Sequence, residues 1–168
     1  MIVGAGTYAL LAYEIAYDMK QFDKIDFVDD HKAKAPTGDM IVGKIDDLCN
    51  LSCTYSDVIV AIGNPDVRQH LLERIKSETN LNIVTLLSPR AYVAPSAQIL
   101  EGVIVEPLSV IHTSCVIKRG CFISAGAVIN HESICEECVH VDCNATVLGY
   151  SAVPAKTKVL SGMVYPKL

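Results

Sequence analysis

The chain has 168 residues, room for one large domain or two small ones, and 51% of them are hydrophobic, enough to bury a real core. A formal net charge of −5 argues against a generic nucleic-acid or anionic-membrane partner. No basic, apolar leader follows Met1 and no apolar run approaches the ~20 residues that span a bilayer, so the expectation is a cytoplasmic protein without membrane contact.

Met1 to Ala9 reads as a very short strand, a glycine-rich turn and the start of a helix that Leu10, Leu11, Tyr13, Ile15, Ala16 and Met19 continue. Gly4, Gly6 and Ala9 fit the G-x-G-x-x-G/A pattern, in which glycines allow a tight turn and helix N-terminal amides face a phosphate. A structural turn that binds nothing fits the same residues. Lys24-Ile-Asp-Phe-Val-Asp-Asp30 is a second strand, ending in two acids about twenty residues past the glycines, where a dinucleotide enzyme holds a ribose hydroxyl. His31 to Gly43 is polar, with Pro36 and Gly38, and reads as a loop. Asp57 to Asn64 is a third strand, apolar throughout as a buried parallel strand is. Pro65 to Thr79 gives a helix with Val67, Leu71, Leu72 and Ile75 on one face, and Leu81 to Leu87 a fourth strand. This front unit of about 86 residues is too short for a complete two-half Rossmann domain, which weighs against NAD.

From Val93 the chain repeats in blocks of six. The first residue is Val or Ile in eleven of twelve blocks, Cys135 being the exception, and the fifth is mostly small: Ala97, Ser109, Cys115, Cys121, Ala127, Ser133, Ala145, Ser151. Neither a helix of period ~3.6 nor an alternating strand keeps an aliphatic residue every six positions, whereas a parallel β-helix does, one residue filling the same interior slot on each flat side. Cys115, Cys121 and Cys135 take interior slots, where a thiol serves as a small hydrophobe. Seven cysteines without a secretion leader argue against a disulfide framework. Cys135-Glu-Glu-Cys138 imitates a metal CxxC, but no second pair follows at ligand spacing, so no metal is expected.

Taken together, the GAGxxA start at Gly4, the strand ending Phe27-Val-Asp-Asp30, the turn Val60-Ala-Ile-Gly-Asn64 followed by Arg68, and hexads carrying Asn130-His131-Glu132 resemble the sugar O- and N-acyltransferases of the NeuD/PglD type. The resemblance covers essentially the whole chain. It implies an α/β Rossmann-like nucleotide-sugar-binding domain over residues 1–86 and a left-handed parallel β-helix over 87–168, of about four coils at three hexads each. It also implies a homotrimer that moves acetyl from acetyl-CoA, a co-substrate, to an amino or hydroxyl group of a sugar, often a nucleotide-linked 4-amino sugar. By the same resemblance His131 is the general base and Glu132 orients or polarises it. His140, Gly149 and Ser124 serve acyl-CoA, with the Gly149 amide facing the thioester oxygen. Gly4, Gly6, Thr7, Tyr8, Asp29, Asp30, Gly63 and Asn64 surround the nucleotide sugar.

The chemistry agrees with these roles. A neutral amine or activated hydroxyl must attack the thioester, and a base of pKa ~6.5 suits neutral pH. Charge on the carbonyl oxygen is stabilised by a fixed N–H, worth ~3–4 kcal/mol. No covalent enzyme intermediate is needed, so the cysteines need no catalytic role. The hexad register puts His131 third in its block, near a corner, and His140 sixth, pointing outward, so both imidazoles are expected to be accessible.

The chain departs from the family pattern in places. Many relatives carry Gly-His at Thr7-Tyr8, and they often have Asn at Ser124. They also run further coils past Gly149 along the CoA groove, which leaves the adenine end of CoA held loosely or by a neighbouring subunit. Lys156 and Lys158 read as solvated rim in preference to phosphate contacts. Two alternatives remain beside N-acetylation: O-acetylation of a free sugar such as a sialic-type acid, and a non-catalytic trimeric scaffold that binds a sugar nucleotide.

Overall fold

The computed structural model describes residues 1–166, so the last two positions of the expected second domain lie outside it. The chain divides into two compact units at the Val84–Thr85 bond.

The front unit alternates strands and helices: β1 (Ile2–Val3), α1 (Thr7–Met19), β2 (Phe27–Val28), a single 3-10 turn (Ile45–Asp47) running into α2 (Leu48–Leu51), β3 (Asp57–Val60), α3 (Pro65–Glu78) and β4 (Asn82–Ile83). The four strands form one parallel sheet in the order β2-β1-β3-β4. Strands covered on both faces have no polar side to show, which is why Ile2, Val3, Val58, Ile59 and Val60 are all buried. α1 presents Ala9, Ala12, Ile15 and Ala16 inward. α3 buries Leu71, Leu72 and Ile75, but Val67, expected on the same face, is 42% exposed. The first turn of that face is taken by Arg68, fully buried, whose guanidinium donates to the carbonyls of Ile62 at 2.8 Å and Gly63 at 3.0 Å. A charged group with five donors closes the β3–α3 turn where an aliphatic one could not. The polar stretch from His31 is less irregular than expected, with an antiparallel bridge between Lys34 and Met40 and a parallel one between Val28 and Gly43.

Leu81–Leu87, read above as one strand, is two. Asn82–Ile83 pairs with β3, while Leu86–Leu87 pairs with Ile104–Val105 in the second unit. Leu87 stands six residues before Val93 and occupies the first interior slot of the repeat.

The second unit is a β-solenoid of about four turns, with fourteen two-residue strands among the described residues stacked into three parallel sheets. The register advances by eighteen residues, so identical slots superpose. One interior column runs Leu87, Val105, Ile123, Val141, Val159. The second runs Val93, Ile111, Ile129, Val147, Tyr165, and the third Ile99, Ile117, Cys135, Val153. Ile111, Ile117 and Ile123 are wholly buried in one shared core. Each such side chain contributes roughly 1.5–3 kcal/mol. The small fifth-slot residues pack beside these columns and satisfy their polar atoms: Ser133 Oγ donates to the Leu148 carbonyl at 2.8 Å, and Cys115 Sγ to that of Asn130 at 2.9 Å.

The corners follow an equally strict rule. The fourth residue of nearly every block has positive φ, filled by Gly at 102, 120, 126 and 162 and by Leu108, Ser114, Glu132, Cys138, Asn144, Tyr150 and Lys156 elsewhere. A left-handed conformation costs a non-glycine residue roughly 1–2 kcal/mol. The stack compensates in part, because the fourth-residue N–H donates to the third-residue carbonyl of the preceding coil, as Glu132 does to Thr113 and Tyr150 to His131. No described helix is long and apolar enough to cross a membrane.

Ile117→Asp is expected to abolish folding of the solenoid, since an unpaired charge would enter the central column. Ile117→Val is expected to fold with a loss of about 1 kcal/mol. Circular dichroism and thermal unfolding of the two variants check the contrast.

Candidate functional site

His131 stands at the corner between the strands Val128–Ile129 and Ile134–Cys135, with its imidazole exposed. One coil further on, Gly149 takes the same corner slot. A Cβ at that position would lie 3.0 Å from His131 Cε1 and 3.1 Å from Nε2, so the ring rests directly against the glycine. The Gly149 amide donates to no described residue. An imidazole and a backbone donor with no described partner are thus adjacent, and a Cβ between them would press on the ring. Tyr150, 78% exposed, meets the imidazole at a ring distance of 5.0 Å and an interplanar angle of 85°. Nothing in the hexad pattern marks this tyrosine, because the fourth slot accepts any residue that tolerates the turn. Glu132 follows His131 at a left-handed corner with φ 58° and is exposed. Among the described residues no hydrogen bond joins its carboxylate to the imidazole.

His140 lies elsewhere, on the strand His140–Val141 of another sheet. The expectation that it is accessible is corrected: it is 4% exposed. Outward-facing side chains of this sheet are buried as a column, Leu86, Ile104 and Phe122 below it included. Phe122 meets the ring at 5.8 Å in an edge contact. His140 Nε2 lies 3.1 Å from Ser124 Oγ and 3.9 Å from Asp142 Oδ1. The structure therefore brings Ser124 and His140 together, and places His131 with Gly149 at a separate corner.

Two acids flank this buried pair without having been foreseen. Glu106, 7% exposed, accepts the Ala125 N–H at 3.1 Å. Burial pushes its carboxyl above the usual carboxylate range, and the Ala125 N–H only partly offsets this. Burial acts on Asp142 in the same direction but is outweighed there by Lys158 at 3.0 Å and the Cys143 N–H, which hold it low. Lys158, read above as rim, is thus the counter-ion of Asp142. The signal was present in the sequence, since Glu106, Ser124 and Asp142 are eighteen residues apart in the same slot.

Burial also pushes up the thiols of Cys115 and Cys135, so neither is a thiolate nucleophile near neutral pH. No group of three His, Cys, Asp or Glu among the described residues is arranged to hold a metal ion.

In the front unit, the glycine loop after β1, the turn after β2 and the turn after β3 gather at the carboxyl ends of the strands, where open parallel sheets bind ligands. Gly4 adopts φ 111°, with the Ala61 carbonyl 3.1 Å from where a Cβ would stand. Asp29 staples these loops, accepting the Ala5 N–H at 2.8 Å through Oδ2 and those of His31 and Lys32 through Oδ1. Lys32 Nζ returns a bond to the Ala5 carbonyl at 2.8 Å. Asp30 accepts the Ile45 N–H at 2.9 Å, and Asn64 caps α3 by accepting the Asp66 and Val67 amides. These three side chains are engaged with backbone. The Tyr8 ring lies on Gly63, where a Cβ would come 2.6 Å from Tyr8 Cε2. Gly6 and Thr7 open α1, and their amides donate to no described residue. A cavity of about 500 Å³ is lined by Asp29, Asp30, Lys32, Met40, Lys44 and Asp47, and not by Gly6 or Thr7.

Residues 1–75 match the PglD N-terminal domain, and residues 96–131 match the bacterial transferase hexapeptide (six repeats). The acetyltransferase domain of PglB from Neisseria gonorrhoeae FA1090, in complex with acetyl coenzyme A, is similar at 26% identity and a TM-score of 0.92, over 97% of this chain and 79% of that one. Perosamine N-acetyltransferase from Caulobacter crescentus, a histidine-to-asparagine mutant in complex with CoA and GDP-perosamine, is similar at 25% identity and a TM-score of 0.87, over 97% and 86%.

Gly149→Ala is expected to displace the His131 ring while leaving the solenoid folded, so thioester turnover falls at least tenfold with an unchanged melting curve. Asp142 yields a pH prediction of definite sign. Its carboxyl is held below the unfolded value of ~3.9, so its contribution to stability is complete above that pH and lost as the pH falls through the lower folded value. Asp142→Asn is expected to flatten the acid limb of the melting temperature against pH below about 4.

Proposed function

We propose that this chain, which belongs with the PglD-type sugar acetyltransferases, acetylates the amino group of a nucleotide-linked amino sugar by direct transfer from acetyl-CoA. The observation that carries the reading is His131 against Gly149: an exposed imidazole beside a backbone amide that donates to no described residue, on a corner where a Cβ would press on the ring. Acetyl-CoA supplies an activated acyl group. His131 takes the proton that the sugar amine loses as its nitrogen attacks, and the Gly149 N–H receives the charge that grows on the carbonyl oxygen. Tyr150 holds the imidazole from the side. Glu132, one residue on, orients or polarises the imidazole in this reading.

Ser124 and His140 serve acetyl-CoA from the neighbouring sheet, where their burial makes them firm supports with little exposed surface. Because they stand apart from His131, a homotrimer suits the site: a second copy would bring its His140 strand toward the His131 corner of the first. The free amides of Gly6 and Thr7 and the Tyr8 ring face the nucleotide sugar in the front unit, with Gly4 and Gly63 giving the backbone its close turns. Asp29, Asp30 and Asn64 shape the loops that hold it. GDP- and UDP-linked 4-amino sugars are the acceptor class to try first, a choice that fits the GDP-perosamine bound by one relative. A cytoplasmic setting follows from these substrates.

His131→Ala is expected to lower kcat by roughly 10²–10⁴-fold with folding unaffected. Thioester release with a panel of nucleotide amino sugars reads this directly, and a fully active His131→Ala protein would remove the mechanism.

A further inference from the structure

Tyr150 is the one aromatic side chain on a left-handed corner among the described residues, and folding gives no reason for it. Glycine fills the same slot at 102, 120, 126 and 162, where the conformation carries no steric cost. Burial does not offset that cost at Tyr150, which is 78% exposed. What the ring touches is the imidazole of His131, with centroids 5.0 Å apart and planes at 85°. The backbone fixes the pair, because the Tyr150 N–H donates to the His131 carbonyl at 3.1 Å. An edge contact leaves the tyrosine at least one uncovered face. If the imidazole edge meets the phenol ring, the opposite face is free; if the phenol edge meets the imidazole, both are.

An open aromatic face this near a general base is within reach of the molecule the base serves. The amine that gives His131 its proton must come within about 3 Å of the imidazole nitrogen. The carbons bonded to that amine then stand at a distance comparable to the 5.0 Å between the two rings. A pyranose suits such a surface. Its hydroxyls lie mainly around the rim and leave a patch of C–H groups on one face, which the electron-rich face of a phenol ring attracts. The pantetheine arm of acetyl-CoA, a string of amides and methylenes, has no flat face to match.

We propose that Tyr150 is a specificity-determining residue, whose open face stacks on the C–H face of the acceptor sugar and turns the amine toward His131. The inference rests on the reading that His131 is the base for a sugar amine. It adds that the solenoid itself recognises the hexose, whatever nucleotide the hexose carries. An epimer that puts an axial hydroxyl on the stacked face is disfavoured as an acceptor.

The test removes the ring without straining the corner. Tyr150→Gly installs the residue this slot accommodates most easily and is expected to melt no lower than the parent. Tyr150→Phe keeps the face and drops the hydroxyl. The probe is the GDP- or UDP-linked 4-amino sugar that the parent acetylates fastest. Calorimetry measures its Kd with CoA in place of acetyl-CoA, so that no turnover occurs, and separately the Kd of acetyl-CoA. The sugar Kd is expected to rise about fivefold to tenfold in Tyr150→Gly, the scale of one aromatic stacking contact, and to stay within about twofold in Tyr150→Phe. The Kd of acetyl-CoA is expected to stay within about twofold in both. A mere side support for the imidazole would lower kcat in Tyr150→Gly and leave sugar binding alone, so an unchanged sugar Kd overturns the inference. A Kd that rises for acetyl-CoA and not for the sugar overturns it too, and gives the ring to the co-substrate. Failure of the underlying reading looks different: the parent acetylates no nucleotide amino sugar, or His131→Ala keeps full turnover.

Discussion

The eighteen-residue register of the solenoid is the constraint from which its chemistry descends. Each coil must return an aliphatic side chain to the same interior slot, since a vacancy or a charge there would face other side chains and no water. Once Ile111, Ile129 and Val147 are stacked, the residues two places on are stacked as well, and so Gly149 lies over His131. Likewise, stacking Val105, Ile123 and Val141 lines up Glu106, Ser124 and Asp142. A repeat selected for packing thereby becomes a ruler that holds polar side chains in register.

The two polar clusters on that ruler use opposite environments. At the His131 corner the groups are open to solvent and the geometry is kept by backbone, with the Tyr150 amide bonded to the His131 carbonyl. In the His140 cluster they are buried, and burial leaves each donor answerable to a particular acceptor. The first arrangement suits a group that must meet an incoming amine; the second suits one whose orientation must not drift. In the front unit the same division recurs within a few residues. Asp29 spends its carboxylate on three backbone amides, so the glycine loop is held in place before any ligand arrives.

Several elements were legible from residue order. The hexads announced the solenoid, its interior columns and the corner position of His131, because period six has no other simple structural meaning. Asp57 to Asn64 and the glycine turn after Val3 announced a parallel sheet. Other points were not legible. Leu86–Leu87 and Asn82–Ile83 are alike in pattern, and their assignment to different sheets depends on which partner strand stands beside them. Val67, expected on the inner face of α3, is exposed, and Arg68 is buried there because the β3–α3 turn presents carbonyls that need a donor. His140 was expected in the open since alternation along a strand says only that a side chain points outward, not whether something lies over it.

The sequence by itself determined the interior: which residues fill the columns, where the corners fall and which slot each histidine occupies, because those follow from a local period that packing enforces. Only the tertiary structure decided which side chains separated by eighteen residues meet, which acids are buried and which carboxylates are already engaged. Those properties depend on the stacking of coils and on what covers each face, and neither is written in the spacing of residues along the chain.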